Sequence, residues 1–456
     1  MQAVFAQNAL TPSGWQKDVL VELGDSGRIS AVTANTRPHN GRTTQVPLLL
    51  PAMSNLHSHT FQRAMAGLAE RRGPAGRDSF WTWREIMYRF LDLLSPDDIE
   101  AVAAFAFMEM QEAGFAAVAE FHYVHHQPGG TAYSDIGELS ERIAAAANQT
   151  GIGLTLLPVL YRYGGVDQRP LQGGQRRFGN DLEQFQKLLV RAEDCVANLS
   201  ADAHLGVAPH SLRAVGPDDL REAQAMRPDG PLHMHIAEQL PEIDEVSAAY
   251  GQRPVEWLLD NCPVDQRWCL IHCTHMTDEE TANLAETGAV AGLCPVTEAN
   301  LGDGIFNGPR YRQAGGRLGV GSDSNIRISV AEELRQLEYS QRLRDTARVV
   351  LAEHGQSCGR TLFDAALAGG AQALGRQSGA IAPGHWADMI ALDQAGFVEG
   401  AYDDAPLDVW LFTGDNSAVR DVWSAGRHCV REGHHIEREA IAARYARALQ
   451  KLMEQL

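Results

Sequence analysis

Between residues 50 and 385 the chain repeats one pattern, a short apolar run followed by a longer segment with helical periodicity. Eight such runs are legible, at 48–57, 116–123, 153–160, 205–209, 232–236, 268–273, 289–294 and 318–322. The segments between them include good amphipathic helices, at 97–113 and 181–199. Eight β-then-α units in succession predict an α/β fold in which a parallel sheet closes inside a ring of helices. A doubly wound open sheet is the competing layout, but no GxGxxG follows an early strand.

In a (β/α)8, TIM-like barrel the functional site is built at the C-terminal ends of the strands. Here His57 and His59, Tyr123, His210, His235, His272, Thr297 and Asp323 each fall at or just beyond a strand end. The flanks read differently. Residues 1–48 carry short β-like runs at 19–23 and 29–32, and two more stand at 384–393 and 419–430. Neither flank is large enough for a good core of its own. One small β domain formed from both chain ends is expected, with residues 49–385 as the barrel, 386–456 returning to the small domain, and a helix closing the chain over 437–456.

The composition narrows the partners. With 58 acidic against 39 basic side chains the net charge is −19, which argues against a nucleic-acid partner. An anionic substrate must then be captured by locally placed arginines. Only three of the basic residues are lysines: Lys17, Lys187 and Lys451. Seven cysteines without a CxxC pair do not form a disulfide framework, and Cys269 and Cys273 are expected as buried thiols. Residues 1–10 lack the basic-then-apolar pattern of a secretory signal, and no run approaches the roughly 18 apolar residues of a membrane span. A soluble, cytoplasmic protein with no membrane partner is expected.

Strand geometry then gathers possible metal ligands. Residues two apart on a strand share a face, so His57 and His59, in NLHSHT at 55–60, can aim two imidazoles at one ion. Alone, such a pair is a weak signal. His235 in LHMHIAE at 232–238 and Asp323 in GVGSD at 319–323 strengthen it. Together these four suit one divalent metal, zinc by default, with a position open to water. His233 shares a face with His235, but His235 lies nearer the strand's C-terminal end and Glu238. His122, His125, His126, His204 and His275 are expected at the surface or behind the ligands.

The ordered set of His-x-His, His-x-Ala-Glu, a histidine after the sixth strand and Ser-Asp after the eighth resembles the amidohydrolase superfamily. The resemblance covers nearly the whole chain and includes GAIAPGHWAD at 379–388, similar to the superfamily's return to its small β domain. Many members bridge two metals with a carboxylated lysine. No lysine here lies near a barrel strand end, so the resemblance points to the one-metal, deaminase-like branch. It implies that Asp323 binds the metal and takes a proton from water, that Glu238 carries a proton to the departing nitrogen, and that His272 polarises the attacking group. It also implies a homodimer.

Within that branch, APHSLR at 208–213 and NLHSHTFQR at 55–63 resemble enzymes that hydrolyse an amidine on a small dicarboxylate and release ammonia. On that resemblance Arg213 is a bidentate carboxylate clamp, and Arg84, in WTWR at 81–84, reaches the second carboxylate. Tyr123 and Gln62 add hydrogen bonds, His210 contacts the reacting group, and Phe80, Trp81 and Trp83 pack the loop or exclude water. Rival readings are a deaminase of a purine, pterin or adenosyl compound, a halide-releasing hydrolase, and a non-catalytic metal-binding relative.

Overall fold

The structure, a computed structural model, describes residues 2–38, 43–72, 80–393 and 403–455; the side chains of Phe80 and Trp81 lie outside the described residues. Eight strands follow the expected order: Met53–Ser58, Phe115–His122, Gly153–Leu160, the broken strand His204–Leu205 with Ala208–Pro209, Leu232–Ile236, Trp268–His272, Val290–Leu293 and Arg317–Val320. Neighbours pair in parallel within two arcs, strands one to four and five to eight. Two parallel bridges join the arcs, Val207 to Leu232 and Ser58 to Asp323. The second bridge is made by Asp323 N donating to His57 O and His59 N donating to Asp323 O, both at 2.9 Å. The seam of the barrel is thus built from the segments that carry three of the four expected metal ligands.

The helices start where local chemistry satisfies their free N–H groups. Pro96–Glu112 begins after Ser95, whose side chain and that of Asp98 cap each other's backbone. Asp181 and Gln184 do the same for Leu182–Ala197. Every residue of the second and third strands is buried, between the barrel interior and the helices outside it.

The chain ends form one eight-stranded sheet outside the barrel. Its order is His434–His435, Arg427–Arg431, Val419–Ser424, Met389–Leu392, Thr43–Pro51, Gln2–Thr11, Gly14–Leu23 and Ile29–Thr33. The expectation of a barrel with a β domain assembled from both ends is met, the two ends joining where Met389–Leu392 runs antiparallel to Thr43–Pro51. One long strand, Gln2–Thr11, was not anticipated.

Two strand expectations need correction. The run 48–57 is not one strand: Thr43–Pro51 belongs to the outer sheet, and the chain turns at Ala52 into the barrel strand Met53–Ser58. Leu48, Leu50, Met53 and Leu56 are all buried, so an unbroken apolar run conceals the change of sheet. The fourth strand, expected over 205–209, is interrupted at Gly206, where an added Cβ would meet Pro231 O at 2.5 Å.

Candidate metal and substrate site

The first strand delivers His57, and the chain continues into a short 3-10 turn that places His59 beside it. Their Nε2 atoms lie 3.1 Å apart. His235, from the end of the fifth strand, meets His57 edge to face with ring centroids 4.8 Å apart and stacks on His59 at 5.4 Å. Asp323 Oδ1 is 3.6 Å from His57 Nε2 and 3.4 Å from His59 Nε2. Four donors from strands one, five and eight therefore converge.

Their hydrogen bonds orient them. His59 Nδ1 lies 3.0 Å from Phe121 O and His235 Nδ1 lies 3.2 Å from His210 O. A carbonyl only accepts, so Nδ1 carries the hydrogen in both rings and each Nε2 presents a lone pair. Burial pushes His59 down to about 3. Burial, then the charges of neighbouring histidines, holds His57 and His235 well below the usual imidazole value. Neutral imidazoles with inward lone pairs, together with one carboxylate, fit a divalent ion.

Two glycines make this approach feasible. A Cβ at Gly321 would lie 2.7 Å from His57 N and 2.8 Å from His57 O; one at Gly319 would meet Leu56 and the backbone of Gly369 and Gly370. Strand eight can pass strand one only without side chains there. A buried clasp locks the seam: Asn55 Nδ2 donates to Ser322 Oγ at 2.7 Å, Ser322 Oγ donates to Asn325 Oδ1 at 2.6 Å, and Asn325 Nδ2 donates to Ser58 Oγ at 3.1 Å.

The groups expected to move protons stand on strained turns. Ala237, His272 and Asp323 have φ of 53°, 74° and 43°, a left-handed conformation costly for residues with a Cβ. Glu242 secures the first turn by accepting from Ala237 N and Glu238 N, both at 3.1 Å. Glu238 is buried, and its Oε1 lies 3.8 Å from His272 Nε2. His272 Nε2 is also 4.0 Å from Asp323 Oδ2, and its Nδ1 is 3.3 Å from Glu298 Oε1. Burial alone would lower His272, but the carboxylates of Glu238, Glu298 and Asp323 raise it to about 10. Burial raises Asp323 to about 7, opposed by the charge of His272.

Above these groups opens a cavity that collects every expected substrate residue: Gln62, Arg84, Tyr123, His210 and Arg213. Arg84, on the helix Phe80–Leu91, donates from Nε to Tyr88 Oη at 2.6 Å and from Nη2 to Tyr161 Oη at 3.1 Å. Gln62 donates to Tyr123 Oη at 2.8 Å. His210 Nδ1 lies 3.0 Å from Ser211 Oγ. Arg213 stands between two buried carboxylates, 3.6 Å from Glu238 and 3.9 Å from Glu242, with its Nε free of hydrogen bonds. Trp83, Met87 and Phe178 supply apolar wall.

Other histidines resolve differently. His233 is buried with Nε2 on Ala373 O at 2.7 Å, away from the cavity lining. His122, His125 and His126 are not at the surface: all three are buried, and His125 and His126 bond to Val159 O and Gly179 O. His204 and His275 are half-buried. No lysine reaches the site. Lys17 sits in the outer sheet, Lys187 pairs with Glu183, and Lys451 pairs with Asp98. All seven cysteines are buried free thiols. Cys294 lies beside His272 and Asp323, in a second group whose donor atoms are within 4.8 Å of one another.

Sequence reasoning missed Tyr88, Tyr161, Glu242 and Glu298. Tyr161 follows the third strand directly and Tyr88 lies one helical turn beyond Arg84, so position alone could have suggested both. Glu242 and Glu298 sit in the first turns of helices, where an acidic residue is ordinary, so no sequence signal separates them from surface caps.

Known proteins resemble this chain in sequence and fold. Residues 48–429 match the Amidohydrolase family, and residues 1–44 match the description "Formimidoylglutamate deiminase HutF, N-terminal domain". The chain is 50% identical to the formimidoylglutamate deiminase of Pseudomonas aeruginosa over 458 residues, covering 100% of each. A crystal structure of an amidohydrolase from Brucella melitensis superposes with a TM-score of 0.95 at 47% identity, covering 99% of this chain and 100% of that one. An adenosine deaminase from Xanthomonas campestris with bound zinc shares the fold at a TM-score of 0.82 and 20% identity, covering 99% and 98%.

Proposed function

This chain belongs to the amidohydrolase family, and from that premise we propose that it hydrolyses N-formimino-L-glutamate to N-formyl-L-glutamate and ammonia, a step of histidine degradation. One observation carries the substrate class: two guanidinium groups, Arg84 and Arg213, stand in the wall of the cavity that also exposes His59, His235 and Asp323. A substrate with two carboxylates and one formimino group needs two cationic partners and one hydrolytic centre. The 50% identity with the P. aeruginosa enzyme extends over the full chain and supports the same substrate.

His57, His59, His235 and Asp323 would hold one divalent ion, with zinc suited to three imidazoles and a carboxylate. Such an ion supplies Lewis acidity and brings the pKa of a water into the neutral range. The protein's own groups do the rest. Arg213 and Arg84 bind the two carboxylates and set the formimino carbon over the ligand cluster. Asp323 takes a proton from the attacking water and then the remaining hydroxyl proton as the formyl C=O forms, and Glu238 Oε1 relays protons to the departing nitrogen, which gains two in all. The C–N bond to that nitrogen breaks, the formyl oxygen comes from water, and ammonia leaves. His272 Nε2, facing both carboxylates, hydrogen-bonds the oxygen that gains charge at the tetrahedral centre. Gln62, Tyr123 and His210 align the substrate between them.

The homodimer implied by the family resemblance, a division near residues 48 and 385, and a cytoplasmic location belong to the same proposal. No helix among the described residues is long and apolar enough to cross a membrane. The test is product identification with zinc-loaded protein and N-formimino-L-glutamate. Ammonia with N-formylglutamate is expected. Formamide with glutamate would reverse the leaving group and overturn the role of Glu238, and ammonia release only from a purine or pterin would overturn the arginine clamp.

A further inference from the structure

Glu298 has no part in the chemistry described so far, yet it is the only group facing the far side of the His272 ring among the described hydrogen bonds. Its carboxylate is buried, and Oε1 lies 3.3 Å from His272 Nδ1. The same oxygen accepts Cys294 N at 2.8 Å, at the point where the seventh strand ends and Pro295–Leu301 begins. The carboxylate is therefore tied to the barrel backbone and cannot swing freely. Its reach crosses from the seventh strand to the sixth, where His272 stands on a left-handed turn.

We propose that Glu298 is the positioning residue of His272: it accepts the Nδ1 hydrogen, fixes the ring, and so aims Nε2 at Glu238 and Asp323. A carboxylate oxygen that already accepts one N–H can accept a second but cannot donate, so Nδ1 must carry hydrogen when it faces Glu298. A ring without that partner would spend part of its time with Nε2 turned away from the reacting atoms. Partners of this kind, one shell behind the chemistry, are worth about 10–100-fold in activity. The inference rests on the reading of His272 as a group that touches the reacting atoms.

Glu298 also caps its own short helix, so a loss of activity on mutation needs separating from a loss of structure. Glu298→Gln keeps the shape and an oxygen for Cys294 N but offers a neutral, weaker acceptor to His272; Glu298→Ala removes both. The expected result is a kcat lower by about 10–100-fold in the glutamine variant and lower still in the alanine variant, with KM within about twofold, since neither touches the carboxylate clamps. Melting temperature and zinc content of the glutamine variant should match the parent. A second measurement needs no variant activity: 15N spectra of histidine-labelled, zinc-loaded protein, with His272 identified by its loss in His272→Asn. The parent should show Nδ1 as a protonated ring nitrogen, and Glu298→Gln should move that resonance.

An unprotonated Nδ1 in the parent would overturn the proposal. So would a glutamine variant with parental kcat, or a kcat that falls only in step with melting temperature. If the parent protein fails to turn over N-formimino-L-glutamate, the substrate reading fails by itself, and the 15N result still decides the role of Glu298.

Discussion

Replacing Gly321 by alanine should weaken the metal site without replacing any ligand. The added Cβ would stand 2.7 Å from His57 N, 2.8 Å from His57 O and 2.9 Å from His57 Cβ. Ordinary contact begins near 3.4 Å, so strands one and eight must separate locally by about 3.4 − 2.7 = 0.7 Å. No flexible side chain can absorb this, because the nearest atoms belong to the backbone. The same backbone is held by Asp323 N on His57 O and by the clasp from Asn55 to Asn325. Overpacking of this kind costs about 1–3 kcal/mol of stability. The larger effect is on geometry, since metal–ligand distances tolerate only about ±0.2 Å. A displacement several times that size between His57 and Asp323 should lower zinc affinity by at least about 10-fold, the lower end of what a disturbed ligand shell costs. Competition against a chelator of known affinity measures this directly, and turnover at saturating zinc shows how much activity the metal restores. Parental zinc affinity in a folded variant would refute the claim that this close approach sets the ligand geometry.

Other perturbations separate the roles. Glu238→Gln should cut kcat by about 10²–10⁴-fold while bound metal, measured by elemental analysis, stays at the parental level; retained activity would remove Glu238 as the proton carrier. Arg213→Lys keeps a charge between Glu238 and Glu242 but loses the planar fork, and a loss of about 1.5–3 kcal/mol should appear as a KM roughly 10–150-fold higher. An unchanged KM would mean that no substrate carboxylate meets Arg213. Asp202→Asn probes stability: Asp202 bonds to Arg376 Nη2 at 2.9 Å and to Arg427 Nη2 at 2.7 Å. Burial alone would raise Asp202, but those arginines hold it below the usual carboxylate value. Its contribution is thus present above the unfolded carboxylate pKa of about 3.9 and is lost as pH falls through the lower native value. Denaturant unfolding across that acid range should show a shallower pH slope in the asparagine variant, which should also be less stable near neutrality; equal slopes would refute the linkage.

That His57, His59, His235 and Asp323 would converge was legible because each stands at a strand end in a chain whose strands run parallel around a barrel, and that topology brings strand ends together wherever they fall in sequence. Arg213, His210 and Tyr123 were legible for the same reason. Arg84 was harder, since it arrives on the helix Phe80–Leu91 beyond the first strand, and its place beside Tyr88 and Tyr161 depends on how that helix lies over the barrel mouth. For His122, His125 and His126 the sequence left the surface and a place behind the ligands both open, because a polar cluster after a strand looks exposed until the segment that covers it is known. Here residues near 177–180 do so, through Arg177 O and Gly179 O.

What the sequence determined by itself was periodic and local: the strand and helix rhythm, the side chains at each strand end, the two ends of the chain as β segments, and the absence of a lysine from any barrel strand end. Tertiary structure alone decided which sheet Thr43–Pro51 joins, why Gly319 and Gly321 carry no side chain, and which acidic helix starts turn inward to hold Arg213 and His272. The division has a physical cause. Periodicity and ligand type are properties of neighbouring residues, whereas steric exclusion and carboxylate–cation pairing arise between segments as far apart as His57 and Gly321, whose encounter is set only when the barrel closes.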